Sequence, residues 1–455
     1  MADLPFELPV KNLSIKTELN TLVCKKLLRA IPNRRHVYEA FWNDKSVVVK
    51  IFSDKFSAKR HIKRERYGLN ELRKRGLNAP RVLFYGKTGD GRHIIVTEKI
   101  INALTAIDIF DSLESKAQKL AFLFSICEEL ANHHEKGIFQ KDLHLGNFLI
   151  SGENIFTLDP GQIRFFARPV PKKKALSQLA ILASYIKDDD VESTTEILKR
   201  YTISRGWQSE KSDEIVFQKQ HLTQNKKKIR RGLKKSLRTS KRHIKIKRTG
   251  YLGIFEKKFI AGREPLDLID KIDSMMDSGE ILKKGNTSYV SRIKWNDKDV
   301  VIKRYNHKDL FHSFRHTIKR SRAYRVWLHG HRLIMLGIAT PKPLAYLESY
   351  RGPILWKSYI ITEYVNGLKL YDFFRDKKVS NEVKARLVSS VEKLLQKMGK
   401  YKITHGDLKH TNILITDDGP VLTDLDAMVV HKIYWLFQSK RHKDMARFLK
   451  DIQDI

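Results

Sequence analysis

The sequence predicts an α+β protein made of two consecutive copies of one two-lobed fold. Each copy has a small β-rich N-lobe and a mostly helical C-lobe, and the second C-lobe is truncated. Three observations carry this. Residues 140–159 and 405–424 share one pattern: an Asp, an Asn five residues on, and a second Asp seventeen residues after the first. The triplets Asp142, Asn147, Asp159 and Asp407, Asn412, Asp424 are offset by 265 throughout. One such triplet arises by chance about once per several thousand positions, so two with identical spacing mark a repeat. Next, Trp-Asn-Asp-Lys precedes a β-branched run in each half, and the runs carry Lys50 and Lys303. Finally, a basic helical stretch follows each run and stops at a Gly with a Pro soon after: Gly76 with Pro80, Gly337 with Pro341.

The elements can be read in order. Residues 37–45 and 46–52 form two strands joined by a turn, and 289–298 and 299–305 do the same in the second half. In the helix over 58–75, Ile62, Leu69 and Leu72 share one face, and Glu65 falls on it too. Apolar strands follow at 93–100 and 359–365, then an amphipathic helix over 117–137. Residues 175–190 and 191–204 read as two further helices, whereas only 31 residues follow Asp424. The resulting domains are 12–249 and 262–455, with 226–249 a basic C-terminal segment or linker of the first. That segment holds 13 Lys/Arg and no acid over residues 226–248, and Ile229, Leu233 and Leu237 give it a helical apolar stripe. It reads equally as a solvated face or as a docking surface for an anionic layer.

Composition bounds the partners. Of 455 residues, 88 are Lys or Arg and 51 Asp or Glu, a formal charge of +37. Such an excess attracts polyanions. No zinc finger, RNA-binding aromatic motif or helix-turn-helix signature accompanies it, which disfavours nucleic acid. With only Cys24 and Cys127, no disulfide framework is needed. The first ten residues lack the pattern of a secretory leader, and no apolar run reaches the eighteen residues of a membrane span.

The repeated triplet has the catalytic-loop spacing of protein-kinase-like phosphotransferases. Phosphoryl transfer depends on positioning and charge neutralisation. A lysine must reach the phosphates of ATP, a carboxylate must hold that lysine, and an Asp must take the acceptor proton. An Asn and another Asp must hold Mg²⁺, a hard ion that prefers oxygen. The first copy supplies Lys50, Glu65, Asp142 as base, and Asn147 and Asp159 for metal. The second supplies Lys303, Asp407 as base, and Asn412 and Asp424 for metal. Aligning Gly337 with Gly76 puts Val326 where Glu65 sits, with Asp309 as a substitute carboxylate, so the first copy is expected to be the more active. Taken singly, each residue has a blander use: a strand-end lysine reaches water, and an Asn closes a turn. The ordered set is what points to chemistry. The first copy has no glycine between residues 24 and 50 to form a phosphate loop, whereas the second has Gly285-Asn286-Thr287-Ser288.

Residues 64–86, 227–242, 320–348 and 405–415 together resemble the bacterial lipopolysaccharide core kinases, the Kdo/heptose kinase-like group. The resemblance implies ATP-dependent phosphorylation of a sugar hydroxyl on the lipopolysaccharide inner core. It also implies a peripheral position at the cytoplasmic face of the inner membrane, with the anionic glycolipid and an anionic membrane surface as partners. A kinase of the same fold acting on a protein or small molecule stays open, as does a non-catalytic role for one copy.

Overall fold

The structure is a computed structural model. It describes residues 4–12, 19–31, 33–53, 57–186, 190–208, 210–261, 264–285, 287–306 and 320–453. The chain is mixed α+β and divides into two compact units, Met1–Asn225 and Lys226–Ile455.

The first unit opens with a closed six-stranded barrel. Its strands are β1 (Phe6–Asn12), β2 (Leu19–Ile31), β3 (Arg35–Trp42), β4 (Lys45–Phe52), β5 (Val82–Thr88) and β6 (His93–Glu98). The order is β1-β2-β3-β4-β6-β5, closed by β1 on β5. Alternation along β4 buries Val47, Val49 and Ile51 inside with Leu22, Cys24 and Ile94. The β3–β4 hairpin turns through Asn43 and Asp44, both left-handed at φ 48° and 58°, which suits the right-handed twist of the strands. Helix α1 (Ala58–Lys74) lies between β4 and β5 in sequence and buries Ile62, Glu65, Leu69 and Leu72. The helical half is built from α2 (Lys116–Glu135), α3 (Lys172–Ala183) and α4 (Val191–Ser204) around one apolar cluster. Ser115 starts α2 with a reciprocal capping box to Gln118.

Helix α5 (Lys211–Ser236) contains the division point at 225/226. This differs from the sequence reading, which assigned 226–249 to the first domain. Residues 243–256 form a hairpin, β7 (His243–Arg248) and β8 (Tyr251–Glu256), that hydrogen-bonds into the second unit's sheet. Alternating Ile244 and Ile246 make a strand of the end of the basic segment, beyond the helical stripe of Ile229 and Leu233.

The second unit's sheet has seven strands. Besides β7 and β8 it contains β9 (Glu280–Lys284), β10 (Ser288–Trp295), β11 (Lys298–Asn306), β12 (Pro343–Arg351) and β13 (Ile354–Glu363). The order is β7-β8-β12-β13-β11-β10-β9, and it stays open. A helix with no counterpart in the sequence reading, α6 (Pro265–Ser278), covers one face. Its Leu268, Ile269, Ile272 and Met276 share a core with Trp295, Ile302 and Tyr359. The first unit protects its sheet by closing it, and the second covers it with a helix. Either device removes the same apolar surface from water. Helices α7 (Arg322–Met335), α8 (Asn381–Lys400) and α9 (Tyr434–Gln453) complete the unit.

Candidate active site

In the first unit β4 ends beside α1, and Lys50 forms an ion pair with Glu65. Glu65 is 4% exposed, as expected of a carboxylate on an apolar helix face with a cation to meet. Lys50 Nζ also lies 3.4 Å from Asp159 Oδ1. Burial opposes the ammonium, but Glu65 and Asp159 outweigh it and hold the lysine above its ordinary range. Asp159 has a left-handed backbone, φ 50° and ψ 52°, a strained conformation for a non-glycine residue that turns its side chain back toward the lysine. Gly68 lets α1 come this close: a Cβ there would meet Pro160 Cβ at 2.6 Å. Asn147 Nδ2 donates to the Asp142 carbonyl at 2.7 Å, closing the loop that presents the exposed Asp142 carboxylate.

The β2–β3 hairpin has no glycine and reaches Asp159 with arginines instead. Arg35 Nη2 lies 3.4 Å and Arg29 Nη1 3.9 Å from Asp159 Oδ2. Burial raises the Asp159 carboxyl, but Lys50, Arg35 and Arg29 together hold it below the usual carboxylate range. A cavity of about 540 Å³ opens here, lined by Arg34, Arg60, Arg64 and His144 as well as Asp142, Asn147 and Asp159.

In the second unit Lys303 on β11 lies 2.8 Å from Asp424 Oδ1 and 2.7 Å from Asp426 Oδ2. Asp424 repeats the left-handed backbone of Asp159, with φ 53° and ψ 63°. Val326 of α7 is buried where the sequence alignment placed it. The sequence reading offers Asp309 as the substitute carboxylate for Lys303; among the described residues Asp426, two residues after Asp424, faces the lysine. Asp309, the suggested substitute, lies outside the described residues, as does Asn286 in the small-residue turn. Asn412 Nδ2 donates to the Asp407 carbonyl at 2.8 Å and to Asp407 Oδ2 at 3.2 Å. Arg447 and Lys409 each approach the Asp407 carboxylate at 3.2 Å. Burial works to raise this carboxyl, but Lys409, Asn412 and Arg447 hold it below its ordinary value. A cavity of about 400 Å³ adjoins Lys303, Asp424 and Asp426, walled by Val290, Val301, Ile360, Val365 and Leu414.

Sequence reasoning missed several contributors. Asp426 is visible only as the third letter of Asp-Leu-Asp, with no rule to connect it to a lysine 123 residues away. Asp444 on α9 is buried and accepts from the His405 amide at 2.7 Å and the Gly406 amide at 3.0 Å, bracing the loop before Asp407. The short helical end of the chain thus supplies a clamp. In the first unit Gln178 of α3 does similar work, donating to the Gln140 carbonyl and meeting His134 Nε2 at 2.7 Å. Arg35 lies just before the strand expected from residue 37 and carries no signal of its own.

Residues 270–453, all within the second unit, match the model of the lipopolysaccharide kinase (Kdo/WaaP) family. Among solved structures, the chain aligns with a point mutant of the PknI kinase domain of Mycobacterium tuberculosis at 16% identity. That alignment covers 36% of this chain and 72% of that one, with a TM-score of 0.27. No curated protein matches the chain. The protein is a kinase. Its second unit carries the likeness to lipopolysaccharide kinases. No helix among the described residues is long and apolar enough to cross a membrane.

Proposed function

We propose that the chain is an ATP-dependent phosphotransferase that adds phosphate to a sugar hydroxyl of the lipopolysaccharide inner core. In this reading both units are kinase-like domains and the second is the principal engine. The observation that carries it is the Lys303–Asp424–Asp426 network beside an apolar-walled cavity, inside the stretch that matches the family. The apolar walls suit a nucleobase, and Lys303 at the cavity's end suits its phosphates. Asp407, held ionised at neutral pH, accepts the hydrogen bond of an acceptor hydroxyl and takes its proton.

The donor set fits a hard divalent cation. Asn412 spends its amide N–H on Asp407, which leaves its oxygen available, and the Asp424 carboxylate is 36% exposed. Among the described residues no cluster of three or more His, Cys, Asp or Glu could hold a metal alone. Two protein oxygens with nucleotide phosphates and water are what Mg²⁺ ordinarily takes. When bound, the ion neutralises charge on the phosphates. In the first unit Asn147 and Asp159 would hold it. There Arg29 and Arg35 compete for Asp159, which is one reason to rank that unit second.

The basic surface supports an anionic acceptor. Lys227, Arg231, Lys235 and Arg238 are exposed around Ile229 and Leu233, which are buried. Such a face suits the phosphates and carboxylates of a glycolipid core at the inner face of the inner membrane. The test is transfer of labelled phosphate from ATP to purified lipid A–core, with Asp142→Ala and Asp407→Ala compared. Asp407→Ala should remove most transfer and Asp142→Ala less. Full transfer by the double variant would sink the proposal.

A further inference from the structure

We infer that Asp426 is a positioning residue for Lys303, doing in the second unit what Glu65 does for Lys50 in the first. This deepens, and rests on, the reading of the second unit as a phosphotransferase. The carboxylate that holds the lysine has moved from the helix to the loop after Asp424.

The geometry is specific. Asp426 is 13% exposed in its side chain and meets Lys303 and Arg322, each at 2.7 Å, and accepts from the Tyr305 hydroxyl. Tyr305 is 1% exposed. Asp426 is therefore fixed from three sides and can in turn fix the ammonium. The helix that supplies an anion in the first unit supplies a cation here, Arg322 at its first turn, while Val326 fills the place of the glutamate. Charges balance locally: Lys303 and Arg322 against Asp424 and Asp426. The first unit has the complementary gap. Offset by 265, Gly161 stands where Asp426 does, and a Cβ there would meet nothing within 4 Å.

A carboxylate in such a loop could instead bind metal, and a double-mutant cycle separates the two roles. In an Asp142→Asn background, turnover, ATP affinity and Mg²⁺ dependence are measured for Asp426→Asn, Lys303→Met and the pair. Positioning through Lys303 requires Asp426→Asn to lower kcat at least tenfold and the pair to be no worse than Lys303→Met alone. It also requires an unchanged Mg²⁺ midpoint. Additive losses, a raised Mg²⁺ midpoint, or wild-type turnover in Asp426→Asn would overturn the inference. The carboxylate can also be moved back: Val326→Glu should recover at least tenfold of the activity lost in Asp426→Gly. If the carboxylate buried by Val326→Glu prevents folding, the reciprocal exchange decides. Gly161→Asp should rescue Glu65→Val in an Asp407→Asn background, and failure to rescue counts against the inference. Asp407→Asn in the first background is the control. If it leaves turnover intact, the phosphotransferase reading of the second unit fails. Asp426 is then judged on ATP affinity alone, which must fall equally in Asp426→Asn and Lys303→Met.

Discussion

The two units solve one electrostatic problem from opposite sides. In the first, Lys50 is held by a glutamate on the helix and by Asp159. In the second, Lys303 is held by two aspartates from one loop, and the helix contributes Arg322 instead. A half-buried ammonium needs a close counter-charge, because unpaired burial costs several kcal/mol (about 3–5 when one partner of such a pair is removed). That demand fixes how many carboxylates surround the lysine. It does not fix which element carries them. The surroundings of the second Asp differ as well: Arg29 and Arg35 of the β2–β3 hairpin press on Asp159 in the first unit, whereas Asp424 faces only Lys303 among its described ion pairs.

The comparison breaks first at the bases. Replacing Asp407 with Asn should lower phosphate transfer by about 10²–10⁴-fold, the usual worth of general-base help, while Asp142→Asn should lower it less. A larger loss from Asp142→Asn would reverse the ranking of the units. Glu65→Gln comes next. It leaves Lys50 with Asp159 alone and should cost the first unit about 3 kcal/mol, read as a lower urea midpoint for the exchange of amides in α1. An unchanged midpoint would mean the pair is not holding the helix.

Acid should separate the units too. Burial pushes His134 down to about 3 in the first unit, and His329 and His331 to about 4 and about 3 in the second. In the unfolded chain these rings protonate below about pH 6.5. The unfolded state then binds more protons, so stability is full above that pH and falls as pH drops toward the folded values. Each ring contributes up to about 1.4 kcal/mol per pH unit. Two strongly lowered rings against one, with His243 and His431 also lowered in the second unit and His93 in the first, should make the second unit lose stability more steeply between pH 6 and 4. Hydrogen exchange followed peptide by peptide measures this, and equal slopes would refute it.

The smallest effect per residue belongs to the basic surface. Reversing Lys227, Arg231 and Lys235 should weaken binding to anionic vesicles by about 1 kcal/mol per charge and reduce its salt sensitivity. Cosedimentation at two salt concentrations reads both, and unchanged binding would leave the segment as a solvated face.

Local pattern made much of this legible. Strand alternation, the Asn-Asp turns, the helix face with Glu65 and the Asp-Asn-Asp spacing all depend on residues within about twenty positions of one another, so periodicity and spacing expose them. The chain alone thus determined that the Asp-Asn-Asp spacing occurs twice, and which residues it marks as candidates. Tertiary structure decided the rest. The partnership of Lys303 with Asp426 spans 123 residues, and the clamp of Asp444 on His405 spans 39. The basic stretch 243–248 became a strand because β8 and β12 offered it a sheet to extend. Whether the sheet closes or takes a covering helix was likewise settled by long-range packing. A buried charge or an open sheet edge is satisfied by whatever the fold brings near, and sequence distance leaves no mark of that choice.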